Sequence, residues 1–154
     1  MADDITAKLG TATAMTITLA SLASSSARVG RAATSVSNAT TLYTLLHVYV
    51  SIKVGTPTAA SNIYVHGLRG DGTIYDDAFA GTDGAETFDN SPMLGIIRVP
   101  GTTADVTYAK SFHFWHPGDR FSVGIWHDTG DNLDSTGTAQ AVRYQGEYWQ
   151  ATAQ

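Results

Sequence analysis

Five histidines are the residues best equipped for metal or proton chemistry: His47, His66, His113, His116 and His127. His113 and His127 fall in two neighbouring strand-like segments, with His116 and Asp119 at the turn between them. A register that set His113 opposite His127 would offer a transition metal two ligands. Asp119 or Asp128 would then help supply the three or four that converge in such a site. The same residues read equally as ordinary strand histidines, hydrogen-bonded to backbone or water beside bulky aromatics. Asp128, Asp131, Asn132 and Asp134 surround a glycine-containing loop, and hard oxygen donors at that spacing can hold calcium. Their order does not match an EF-hand, and Asp, Asn and Gly are also the common residues of turns. Asp76-Asp77 has the same two readings. No metal or other cofactor is assigned on these signals.

Covalent chemistry has less support. Cysteine is absent, no Gly-x-Ser-x-Gly elbow is present, and Glu86 and Glu147 are the only glutamates. Nucleophilic catalysis and paired-carboxylate hydrolysis therefore lack their usual groups. No glycine-rich loop leads into a Lys-Ser/Thr pair, and the expectation is a protein that is not an enzyme. Trp115, Trp126, Trp149, Tyr144 and Tyr148 could form a platform for sugars or the apolar patch of a subunit interface. Trp126 has the parity opposite to Phe121, Val123 and Ile125, which predicts that it is exposed. Trp126, Tyr148 and Trp149 are interface candidates on this basis.

These groups must be positioned by strands. In the stretch Leu42–Val54 the even positions are nearly all apolar, a period of two held long enough to predict one face on a core. Asn62–Arg69 places Ile63 and Val65 opposite Tyr64, His66 and Leu68. Residues 73–90 read as a long loop with one short strand, and Pro92–Val99 as a strand. Val106–Trp115 and Arg120–Thr129, joined by "HPGD", predict a hairpin, and Thr138–Trp149 an aromatic closing strand. Met15, Ile17 and Leu19 alternate with threonines as in a half-buried strand. Seven to nine strands at this spacing, with no three-turn helical stripe, predict an all-β, two-sheet antiparallel sandwich, with a jelly roll favoured. Residues 1–37 read as an extended amino-terminal arm or edge strands, and 38–154 as the sandwich.

Composition narrows the partners. Of the 154 residues 43% are apolar and only 15% charged, with a formal net charge of -5. A neutral polar surface costs little charge desolvation on burial, which suits an oligomer or assembled particle. The nine basic residues are scattered, and the pair Arg28 and Arg31 is too little for a phosphate-tracking groove, so nucleic acid is not an expected partner. An acidic start with no long apolar run predicts neither a signal peptide nor a membrane span.

The phrases "LGTATAMTITLASLASSSARVGRAATSVSNAT" and "HVYVSIKVGTPTAASNIYVHGLRGDG" resemble a group of small proteins encoded among the virion structural genes of tailed bacteriophages and prophages. The likeness continues through "NSPMLGIIRV" and "DTGDNLDSTGTAQAVRYQG". It implies a virion component present in many copies, with no functional residue assigned. The favoured expectation is a capsid decoration or cement protein on the outer surface of the shell, made in the host cytoplasm. It would bind the major capsid protein as a homo-oligomer, a trimer being favoured, and stabilise the assembled shell by mass action. Arg28 and Arg31 would lie in its contact arm. The alternatives are a carbohydrate- or receptor-binding module of the tail and a head–tail or tail subunit.

Overall fold

Alternation with a period of two decides the architecture. In the strand Leu45–Lys53, Leu46, Val48, Val50 and Ile52 are buried, while His47 and Ser51 are half-buried and Tyr49 is exposed. A strand with one apolar face needs a second sheet to cover it. The computed structural model describes residues 4–152. Among them are the strands β1 (Asp4–Leu9), β2 (Thr13–Ala14), β3 (Val29–Ala32), β4 (Val36–Ser37), β5 (Leu45–Lys53) and β6 (Ser61–Gly70), followed by β7 (Gly84–Thr87), β8 (Met93–Val99), β9 (Thr107–Trp115), β10 (Arg120–His127) and β11 (Ala141–Thr152). Sheet A has the order β1-β11-β5-β9, with β2 also on β11. Sheet B has the order β7-β3-β10-β6-β8, with β4 also on β10. All of these pairings are antiparallel. Leaving aside β7, the two four-strand orders are those of a jelly roll, in which nearly every connection crosses from one sheet to the other.

That topology corrects the hairpin predicted around "HPGD". β9 pairs with β5 in sheet A and β10 with β6 in sheet B, so the turn is a corner between sheets. The local sequence cannot distinguish the two, because Phe112 and Phe114 face the core from one side and Phe121 and Val123 from the other. His116 and Gly118 both take left-handed backbone there, with φ of 50° and 79°. Two other expectations shift. The strand predicted from Leu42 begins at Leu45, because Leu42 turns left-handed (φ 55°) and points into solvent. Met15 and Leu19 are buried as predicted, but only Thr13–Ala14 forms a ladder. The chain then leaves sheet A, where the Met15 N–H donates to Val142, and the Thr16 carbonyl next accepts from Thr34 beside sheet B.

The main core fills the space between the sheets. Val48, Ile52, Phe112 and Phe114 of sheet A meet Ile63, Val65, Phe121, Val123 and Ile125 of sheet B. Each such side chain contributes about 1.5–3 kcal/mol of burial free energy. Gly67 permits the close approach, since a Cβ there would come within 2.7 Å of the Phe114 ring. A second, smaller core lies on the outer face of sheet B, made by Ala32, Leu68, Phe79, Phe88 and Trp126. It exists because residues 71–92, the one long connection that returns to its own sheet, fold back across that face. β10 is consequently buried on both sides.

One polar residue ties the corner together. Asn38 is 4% exposed, and its amide donates to the carbonyls of Tyr43 (3.1 Å) and Gly118 (2.9 Å) while its Oδ1 accepts from the Tyr43 N–H (2.7 Å). Replacing it by Ala removes three part-buried hydrogen bonds from the corner, each worth about 0.5–1.5 kcal/mol. Asn38→Ala is expected to lower stability by at least about 2 kcal/mol in urea unfolding. An unchanged midpoint would contradict this role.

Candidate functional site

The outer face of sheet B carries a set of convergent aromatic and polar side chains. Antiparallel register puts Tyr64 opposite Trp126 and His66 opposite Gly124. Tyr64 and Trp126 stack with ring centroids 3.8 Å apart and planes 6° from parallel. His66 stacks on Phe88 at 5.0 Å, and Phe88 lies on the bare backbone of Gly124, where any Cβ would overlap its ring. Together with Arg28, Asp89, Ser91 and Met93 these rings line an open hollow of about 440 Å³.

Two strained segments frame the hollow. Arg28 has φ of 56°, and the Ser25 hydroxyl accepts from the N–H groups on either side of it, Ala27 (3.1 Å) and Val29 (3.2 Å). Asp77 and Ala78 both have φ of 57°. The Asp77 carboxylate accepts from the N–H groups of Asn90 (2.5 Å), Ser91 (2.9 Å) and Asp89 (3.3 Å). Burial pushes the Asp77 carboxyl up, but hydrogen bonds from Ser91 and Asn90 outweigh it and hold the group below its ordinary value. Such left-handed non-glycine residues persist only where surrounding contacts enforce them.

The floor of the hollow has little free hydrogen-bonding capacity. The indole N–H of Trp126 donates to His66 Nε2 (3.2 Å), and His66 Nδ1 is 3.2 Å from both the carbonyl and the hydroxyl of Ser91. The Tyr64 hydroxyl donates to Asp128 (3.0 Å). The rim is different. Arg28 and Asp89 are 4.0 Å apart with side chains 57% and 64% exposed, a loose pair worth no more than about 1 kcal/mol and open to exchange for a ligand.

The residues singled out in the sequence are distributed as follows. Trp126 lies on the outer side of β10, but the exposure expected from its parity is not found: it is only 8% exposed, because the fold-back segment and Tyr64 cover it. Arg28 is at the hollow, while Arg31 donates to Asp83 (2.7 Å). Trp149 is 60% exposed, and Tyr148 is half-buried with its ring edge-on to Tyr43. His113 and His127 do not meet. His113 lies opposite His47 on sheet A, ring centroids 5.0 Å apart, whereas His127 is buried at the end of β10 in sheet B, with its ring nitrogens on Leu22 and Thr129. The three loop aspartates also diverge. Asp128 accepts from the Asn62 N–H, Asp131 from the Thr56 N–H, and Asp134 from Lys53 Nζ. Lys53 and Thr136 together hold Asp134 at about 2. Among the described residues no group of three His, Asp or Glu is placed to hold a metal.

The sequence reading did not single out Tyr64, Phe88, Asp89, Ser91 or Met93. One signal was present: bulky Tyr64, His66 and Trp126 share a face that two central strands would otherwise expose. No family model matches the chain, and no curated protein matches it. Among solved structures, the C-terminal domain of EclA, described as a sugar-binding protein, is similar over 97% of this chain and 79% of that one. The identity is 11% and the TM-score 0.33, too slight an overlap to transfer anything to this chain's residues.

His127 makes a testable contribution to stability. It is fully buried, with Nε2 3.0 Å from the Leu22 carbonyl and Nδ1 2.9 Å from the Thr129 hydroxyl. Burial holds its pKa below the ordinary 6.5, against smaller upward pulls from Leu22 and Asp128. A folded state that binds the proton more weakly than the unfolded chain loses stability as pH falls below 6.5. The urea midpoint is therefore expected to be lower at about pH 5 than at about pH 7.5. A flat or rising midpoint over that range would contradict the assignment.

Proposed function

We propose that this chain is a non-catalytic recognition module that takes a carbohydrate in the hollow on sheet B, acting as a receptor-binding module of a phage tail. The observation that carries the reading is the combination in one hollow of stacked aromatic rings and an exposed Arg–Asp pair. A pyranose has C–H faces that pack on aromatic surface and hydroxyls at its edge. The spent hydrogen-bonding groups of the floor suit the former, and Arg28 and Asp89 at the rim suit the latter. The rings of Tyr64, His66 and Trp126 stand on the paired strands β6 and β10, a more rigid support than a loop. The expected experiment is a glycan array followed by calorimetry. It should give one site per chain, weakened about tenfold (about 1.4 kcal/mol) by Tyr64→Ala or Arg28→Ala, and unchanged by Trp149→Ser. No bound glycan, or binding indifferent to the first two changes, would contradict the reading.

A second reading, the decoration protein of a capsid, is favoured by a different surface. β11 runs past β5, whose last partner is Leu45 opposite Glu147, so that Tyr148–Thr152 pair with β1 alone. This two-stranded extension exposes Ile5 (68%) and Trp149 (60%), and Leu9 (59%) is exposed where it begins. Trp115 (57%) shares the row of Leu9, Glu147 and Leu45 across sheet A. Exposed apolar side chains gathered this way suit contact with neighbouring copies and the major capsid protein. On this reading the chain co-sediments with empty shells, and Trp149→Ser weakens that binding about tenfold. Failure to co-sediment would set the capsid role aside.

A further inference from the structure

The hydrogen bonds at the hollow fix the protonation of His66. A carbonyl and an indole N–H can each play only one part: the Ser91 carbonyl accepts and Trp126 Nε1–H donates. With the indole directed at Nε2 (3.2 Å), that nitrogen is the acceptor, so the ring proton resides on Nδ1 and is directed at Ser91. His66, Ser91 and Trp126 are 6%, 7% and 8% exposed, so these protein partners are the ones close to the ring. A second proton would have to go on Nε2. It would then face the indole N–H donor to donor, and the bond that spans β6 and β10 would be lost.

We propose that His66 is a proton-operated latch on this hollow: neutral, it holds Trp126 flat against Tyr64, and protonated, it releases Trp126 and abolishes the ligand-binding shape. The inference rests on the reading of the hollow as the binding site, but the latch itself is a property of the free protein. The charged and titratable groups around the ring are few. Arg28 precedes β3, Asp77 lies in the fold-back segment, Asp89 is on the loop beside Ser91, and Tyr64 is on β6 itself. Burial is the largest influence on the ring and lowers its pKa from 6.5. The Ser91 bond and Asp77 oppose it, and Arg28 adds to it. The latch therefore opens only on acidification below that ordinary value. Ser91 also connects it to Asp77, whose carboxylate holds the loop 89–91. Since that carboxyl is held low, the loop anchor persists while His66 changes state.

The test is a heteronuclear NMR titration of ligand-free protein from about pH 7.5 to about pH 4.5, following the His66 ring nitrogens and the three indole N–H signals. His66 is expected to titrate below 6.5, starting from the Nδ1–H tautomer. The Trp126 indole signal should shift with the same midpoint while those of Trp115 and Trp149 stay in place. His66→Gln, whose amide can accept from Trp126 and donate to Ser91 at any pH, should hold the Trp126 signal constant. The proposal is overturned by an indole signal that ignores His66 titration, by a Trp126 shift that survives in His66→Gln, or by a ring that stays neutral to about pH 4.5. Because no glycan enters the titration, a failed glycan search leaves this result standing, and a failed latch leaves glycan binding to be judged on its own.

Discussion

The ring of Phe88 lying on the backbone of Gly124 is the contact on which the outer layer of sheet B depends. β10 is the central strand of that sheet, and its core-facing side is filled by Phe121, Val123 and Ile125. Its other side offers Ser122, Gly124 and Trp126, small residues next to one large one. The vacancy over Gly124 admits an aromatic ring from a segment 36 positions earlier in the chain. Phe88 is 1% exposed once seated there, and removing so large a buried ring costs about 3–5 kcal/mol. With it in place, the parts of residues 71–92 on either side of β7 cover the outer face of sheet B, and the aromatic rings there form a hollow. Without it, Tyr64, His66 and Trp126 would be an open stripe on a flat sheet.

The two outer faces of the sandwich have been built to different ends by the same alternation rule. On sheet B the outward aromatics are largely covered, hydrogen-bonded to one another and held by backbone that is itself strained at Arg28, Asp77 and Ala78. On sheet A the outward residues are mostly half-buried or in solvent. Among the described residues Leu45, 6% exposed between Glu147 and Trp115, is buried on that face outside both core clusters. Preorganisation of the first kind favours selective recognition, since little ordering entropy remains to be lost on binding. An exposed apolar stretch of the second kind favours association, where burial of area supplies the drive.

Much of the sandwich was legible because burial imposes period two wherever a strand has one wet face. The alternation in Leu46–Ile52, in Ile63 and Val65, and in Phe112–Phe114 reads directly as the inner faces seen here. Pairing is another matter. Nothing in "HFWHPGDRF" says whether its flanks share a sheet, since both a hairpin and a corner need turn residues and inward phenylalanines. The site was half legible for the same reason. Trp126 and Arg28 could be named from parity and charge. Phe88 could not, because its role is set by the missing Cβ of Gly124, a long-range fit that no local pattern encodes. The histidine and aspartate groupings failed because proximity in sequence across a corner or along a loop is not convergence in space.

The three tryptophans make the central claim directly measurable. Each indole N–H gives its own signal, with Trp126 in the hollow and Trp115 and Trp149 on the far sheet. The decisive measurement is a titration of isotopically labelled protein with carbohydrate, at about pH 7.5 where His66 is neutral. The expected result is a saturable shift of the Trp126 signal with the other two unmoved. Saturable shifts at Trp115 or Trp149 with Trp126 silent would place recognition on sheet A and contradict the account.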